Sequence, residues 1–289
     1  MRGRGWLALA VLGLSLLGAA PAAVDRFDTV VIDAGHGGDD HGAEGPSGLL
    51  EKDLVLDVAR RLRHKLEGDG LRVVMTRDRD VYVPLQDRAD AANQAHGDLF
   101  LSIHANAAPS RVARGIETFF VSLEASDESA QRLASRENAA FAREAAADHA
   151  DDPVAAILGD LVSTEHLVES DEFARLAHRE LAAIDPAPVR GVKQAPFHVL
   201  MGVQMAASLV EIGFVTNPKE ERALATPARQ QEIAAALATA VREFRRRWDA
   251  RRGLAGAPAP SSARPAGAAP RGRPPGAGGA GVPPSRSGG

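Results

Sequence analysis

Short apolar runs alternate along the chain with longer stretches of helical spacing. Thr29 to Ala34 (TVVIDA), Leu71 to Thr76 (LRVVMT), Leu99 to His104 (LFLSIH), Ile116 to Ser122 and Ser208 to Phe214 (SLVEIGF) are short, β-branched and bounded by turn residues, as buried strands are. Val55, Val58, Ala59, Leu62 and Leu66 recur at helical spacing, and Gly68 and Gly70 close that helix. A further helix is expected over Phe173 to Leu181, and Pro227 opens a long C-terminal one predicted to run to about Arg247. This alternation predicts one α/β domain, with helices on both faces of a largely parallel sheet.

One segment breaks the pattern. Leu123 to Glu172 is Ala-rich, helical in spacing and acidic, with 13 Asp and Glu against 3 Arg. Fifty residues are too many for a plain connection inside a compact domain and suggest a lid or regulatory element. At the N-terminus, Arg2 and Arg4 precede the apolar run Trp6 to Gly18 and the small residues Ala19, Ala20, Ala22 and Ala23. Residues 1–23 therefore read as a secretory signal peptide, too short in its apolar part to be a permanent membrane span, leaving no span in the mature form. Residues 253–289 are almost entirely Gly, Pro, Ala, Ser and Arg and read as a disordered tail, so the folded domain is expected over 24–252.

Composition narrows the chemistry. The formal net charge is -4, which exerts no overall pull on nucleic acid. With no cysteine, disulfides, thiolate nucleophiles and thiolate metal sites are excluded, and any metal must sit on His, Asp or Glu.

Most of the nine histidines have bland contexts; His64, His149, His166 and His178 are expected on solvated helix faces. His36 directly follows the first strand in VVIDAGHGG, and His104 ends a later one in LFLSIHAN. In open α/β sheets the carboxyl ends of the strands form the ligand-binding edge, so both imidazoles are delivered to one rim. Glu51, at the mouth of the first helix, either complements the helix dipole or supplies a third, anionic donor, completing the His2Glu set of a catalytic zinc. Glu211 lies within an otherwise apolar strand, where a carboxylate is costly unless paired or needed. It is either half of a buried salt bridge or an acid/base.

The blocks IDAGHGGDDHGAEG, EKDLVLDVARRLRHKLE, VVMTRDRDVYVPLQDRADAAN, LFLSIHANAA, GIETFF, RGVKQAPFHVL and LVEIGFVTNPKEE resemble the zinc-dependent N-acetylmuramoyl-L-alanine amidases of bacterial cell walls. The resemblance covers most of residues 28 to 225. It implies a central mixed, mostly parallel sheet of about six strands, a Zn2+ ion on His36, Glu51 and His104, and Glu211 as the catalytic acid/base. It also implies the substrate, peptidoglycan, cut between N-acetylmuramic acid and L-alanine, and hence export to a bacterial periplasm or envelope. Asn106 and Lys193 are candidates for contacting substrate, and each serves equally well as a loop hydrogen-bonder. The acidic segment matches by position the insertion that, in the cell-division members, occludes the zinc site until an activator protein displaces it. Glu137 and Glu144 are among its acids that could reach the metal; the alternative is a cap that shapes the substrate groove.

Two rival functions share these residues. A zinc peptidase cutting within the stem peptide would use the same metal, although neither His36 nor His104 opens an H-x-x-E or H-E-x-x-H motif. A non-catalytic wall-binding module on this fold would be expected to lack a ligand or the base, and all four positions are filled.

Overall fold

The computed structural model describes residues 26–139, 164–185, 187 and 190–254. The expected signal peptide, Glu144, His149 and the tail beyond Leu254 lie outside them. Six strands form one sheet: β1 (Thr29–Ala34), β2 (Arg72–Met75), β3 (Leu99–Asn106), β4 (Glu117–Val121), β5 (Val192–Ala195) and β6 (Ala206–Phe214), in the order β2-β1-β3-β6-β4-β5. Every neighbouring pair is parallel except β4 with β6, so the sheet is mixed and mostly parallel. β1, β3, β4 and β6 are buried along their whole lengths, which is why they read as continuous apolar runs.

Helices cover both faces. They are α1 (Glu51–Gly68), α2 (Leu85–Gln94), α3 (Glu128–Glu137), α4 (Thr164–Ala183), α5 (Pro218–Leu224) and α6 (Pro227–Arg251). On one face α1, α4 and α6 pack on Val30, Ile32, Leu101, Ile103, Val210 and Ile212. There Phe244 meets Phe27 and Phe173 edge to face, with ring centroids 5.6 and 5.5 Å apart. On the other face α2, α3 and a 3-10 turn at His198–Leu200 cover Val31, Phe100, Phe119 and Leu209. Local chemistry sets the helix starts. Asn217 accepts from the Lys219 and Glu220 amides, Thr226 from that of Arg229, and Asp127 from that of Ala130, with Pro218 and Pro227 just inside their helices.

Four expectations shift. The C-terminal helix continues to Arg251, and the helix expected from Phe173 begins at Thr164, inside the acidic segment. The four-residue edge strand β5 was not anticipated, because VKQA is too short and polar to signal a strand. His178 is 8% exposed rather than solvated, since α4 packs against β4 and β6. Burial lowers its pKa, and neither ring nitrogen has a hydrogen-bond partner among the described residues.

Candidate metal centre

At the carboxyl end of β1 the chain turns through Gly35 into His36, whose φ of 59° is left-handed and rare for a residue with a β-carbon. Two arginines hold this turn by its carbonyls. Arg77 donates to Ala34 O, Gly35 O and Lys52 O at 2.7–2.8 Å, and Arg88 donates to Ala34 O and His36 O at 2.9 Å. Arg88 is itself paired at 2.8 Å with Asp33, which also accepts from Thr76 and Ser102. Gly35 must lack a side chain, because a β-carbon there would lie 2.5 Å from the His104 ring.

The His36 ring is oriented by Nδ1, which donates to Asp40 at 2.9 Å, leaving Nε2 aimed inward. Glu51 is the first residue of α1, but its carboxylate does not cap that helix. Oε2 accepts from the Ala43 amide at 2.8 Å and Oε1 from the Ala105 amide at 2.9 Å. Oε1 also lies 3.2 Å from His36 Nε2 and 3.1 Å from His104 Nδ1. A fourth donor comes from α3, whose last residue, Glu137, places Oε2 3.3 Å from each of the same two nitrogens.

These four groups could hold a metal ion, their donor atoms all lying within 4.8 Å of one another. A tetrahedral zinc with bonds of ~2.0–2.1 Å would separate its donors by about 3.3–3.4 Å, close to the imidazole–carboxylate distances of 3.1–3.3 Å. His36 Nε2 is buried with no hydrogen-bond partner among the described residues, a polar atom left over for a metal to use. The residues present therefore fit a metal.

The electrostatics agree. Burial disfavours charge on either imidazole, but Glu51 chiefly, then Asp40 and Glu137, raise His36 well above its ordinary range. Hydrogen bonds to Glu137 and Glu51 raise His104 to about 10 against the same burial. Glu51 is held at about 2 despite burial, mainly by the His36 charge, and both imidazoles hold Glu137 well below the carboxylate range. Two buried carboxylates thus face the two imidazoles, a negative charge that one divalent cation would balance with the imidazoles neutral.

One rung of the sheet carries the rest of the site. His104 pairs with Glu211 across β3 and β6, and Glu211 pairs with Glu117 across β6 and β4. Glu211 is fully buried, and neither carboxylate oxygen has a hydrogen-bond partner among the described residues. Burial first, then the neighbouring Glu137, push its pKa well above the ordinary value, so the expected alternative of a buried salt bridge does not describe it. Glu117, by contrast, is paired: Asn106 Nδ2 donates to it at 2.8 Å, Lys193 Nζ at 2.8 Å, and Arg190 Nε lies 3.1 Å away. Asn106 and Lys193 therefore belong to a polar network beside Glu211 rather than to loops. Asp40, Arg77, Arg88, Asp33 and Glu117 were not singled out from sequence. The density of charge in TRDRDVYVPLQDR was the one available signal for the arginines.

An α/β sheet whose carboxyl rim gathers two imidazoles and two carboxylates, with a lone buried acid on the adjoining strand, has the make-up of a metal-assisted hydrolase. The chain belongs to the N-acetylmuramoyl-L-alanine amidase family, whose pattern it matches over residues 30–243. Amidase AmiA of Escherichia coli K12 is 38% identical over 215 residues, covering 73% of this chain and 74% of that protein. Amidase AmiC of Escherichia coli O6:H1 is 36% identical over 222 residues, covering 76% of this chain and 53% of that protein, so the chain spans about half that relative's length. Among solved structures, amidase AmiC2 of Nostoc punctiforme superposes with a TM-score of 0.58 at 28% identity, over 75% of this chain and 96% of that one. An amidase from Clostridium difficile 630 does so with a TM-score of 0.58 at 29% identity, over 76% and 97%.

Proposed function

We propose that the protein hydrolyses the amide between N-acetylmuramic acid and the L-alanine of the peptidoglycan stem, using zinc held by His36, Glu51 and His104. The observation that carries this reading is the convergence of these donors one strand from the unpaired carboxyl of Glu211. Zinc, when bound, supplies a Lewis acid that polarises the scissile carbonyl and acidifies water. Glu211 accepts the proton of the attacking water at its carboxylate and delivers it to the departing L-alanine amine. The hydrophobic strand around Glu211 keeps its proton affinity high enough for both transfers.

In this reading α3 closes the site, with Glu137 filling the position that substrate would take. Arg136 fastens it by donating to Ala107 O at 2.6 Å and Asn106 Oδ1 at 3.3 Å, and Asn138 by bonding Pro196 O and the His198 amide at 2.7 and 2.9 Å. Opening would then fall to a partner protein. The leader-like N-terminus and the family's wall substrate support export to the cell envelope. No helix among the described residues is long and apolar enough to cross a membrane.

Mass analysis of digested sacculi tests the activity. Intact stem peptides with free L-alanine amino termini are expected; cleavage inside the stem would replace this reading with the peptidase one.

A further inference from the structure

Helix α3 brings a carboxylate to the site at each end. Glu137 reaches the metal cluster; Asp127, its N-cap, lies 3.1 Å from Lys193 Nζ, and Ser129 Oγ accepts from the same ammonium at 3.0 Å. Lys193 is mostly buried and already pairs with Glu117, yet Arg190 pairs with the same Glu117 oxygen. Without α3, two cations face one carboxylate, a surplus of one positive charge beside the catalytic strand. A partly buried ammonium left in that state calls for an anion.

The position fits a bound peptide. β5 lies two strands from β6, so Lys193 stands on the order of 10 Å from Glu211, about three residues of extended chain. We propose that Lys193, backed by Arg190, is a subsite for a free carboxylate within the first three residues of the stem peptide, and that Asp127 occupies it in this structure. The helix then imitates the substrate at both contacts, at the metal and at the peptide's acid. This inference rests on the amidase reading for the identity of its ligand, and its test separates the two.

The experiment uses the full chain carrying Glu137→Ala, alone and combined with Lys193→Gln or Lys193→Arg. The substrates are a synthetic muramoyl-L-alanyl peptide with an acidic residue and its matched carboxamide. A charge-assisted contact predicts a preference of about tenfold for the free acid, carried by KM. Lys193→Gln should bring that ratio close to one and Lys193→Arg should keep most of it. Calorimetric binding of the free acidic peptide and its carboxamide to the same proteins reads the subsite without catalysis. Acid-selective binding that depends on Lys193, with neither substrate cleaved, would support the subsite and remove the amidase reading. No acid preference in the parent, or one that survives Lys193→Gln, overturns the subsite. Asp127→Asn, which leaves Lys193 intact, should strengthen acidic-peptide binding several-fold by removing its competitor; unchanged binding counts against it.

Discussion

Glu137 Oε2 lies 3.3 Å from His104 Nδ1, a contact between residues 33 positions apart that joins the acidic segment to the rim of the central sheet. Glu137 is brought to both imidazoles; Glu144 lies outside the described residues. If it closes the site, Glu137→Ala should raise basal release of labelled fragments from sacculi by about tenfold or more, a shift of ~1.4 kcal/mol. An unchanged or lower rate in a folded variant would remove α3 as an inhibitor.

Glu211 combines a catalytic assignment with a stability cost. Glu211→Gln should lower kcat by roughly 10²–10⁴ while zinc stoichiometry, measured by atomic absorption, stays at the parent value. Its pKa is raised in the folded state, so the folded protein binds the extra proton and Glu211 erodes stability as pH rises above the unfolded carboxyl value of about 4.3. The Gln variant, stripped of metal, should therefore melt higher than the stripped parent at neutral pH and lose that slope. Equal melting temperatures would contradict the burial argument.

The left-handed backbone at His36 can be separated from its ring. His36→Gly and His36→Ala both remove a metal donor and should both lose zinc. The Gly variant should be more stable by about 1 kcal/mol, because alanine keeps the β-carbon that strains this φ. Equal urea midpoints would show that the two arginine clamps impose no such strain.

Asp33 stabilises the turn from below. Burial works to raise its pKa, but Arg88, Thr76 and Ser102 outweigh it and hold the carboxyl at about 2. The depressed value contributes stability of about 2 kcal/mol that is present above the unfolded value near 4 and disappears as pH falls through about 2. Asp33→Asn forfeits this and leaves Arg88 buried without its counter-charge, a loss of about 3–5 kcal/mol near neutral pH. Urea unfolding from neutral to acid pH should show the gap between the two proteins narrowing as Asp33 becomes protonated. A constant gap would mean that charge is not the source.

Much of the architecture was legible because it is periodic. Five of the six strands and the register of α1 follow from runs whose burial is written residue by residue, and the two histidines stand where such runs end. β5 was missed because an edge strand with one well-buried side chain, Ala195, leaves no apolar period. His178 was misjudged because its surroundings are set by β4 and β6, distant in sequence.

The chain by itself determined the α/β alternation, the delivery of His36 and His104 to one rim, and the anomaly of Glu211 among aliphatic neighbours. Each is a property of a short stretch and its own backbone geometry. Tertiary structure alone decided that Glu51 turns away from its helix to accept from Ala43 and Ala105, and that Glu137 joins it at the same two imidazoles. It alone decided that Glu117 stands on the rung of Glu211 and is paired there by Lys193 and Arg190. Those outcomes depend on which side chains packing brings within about 3 Å of each other, and a hydrogen bond or ion pair weakens too steeply with distance and angle for sequence spacing to specify it.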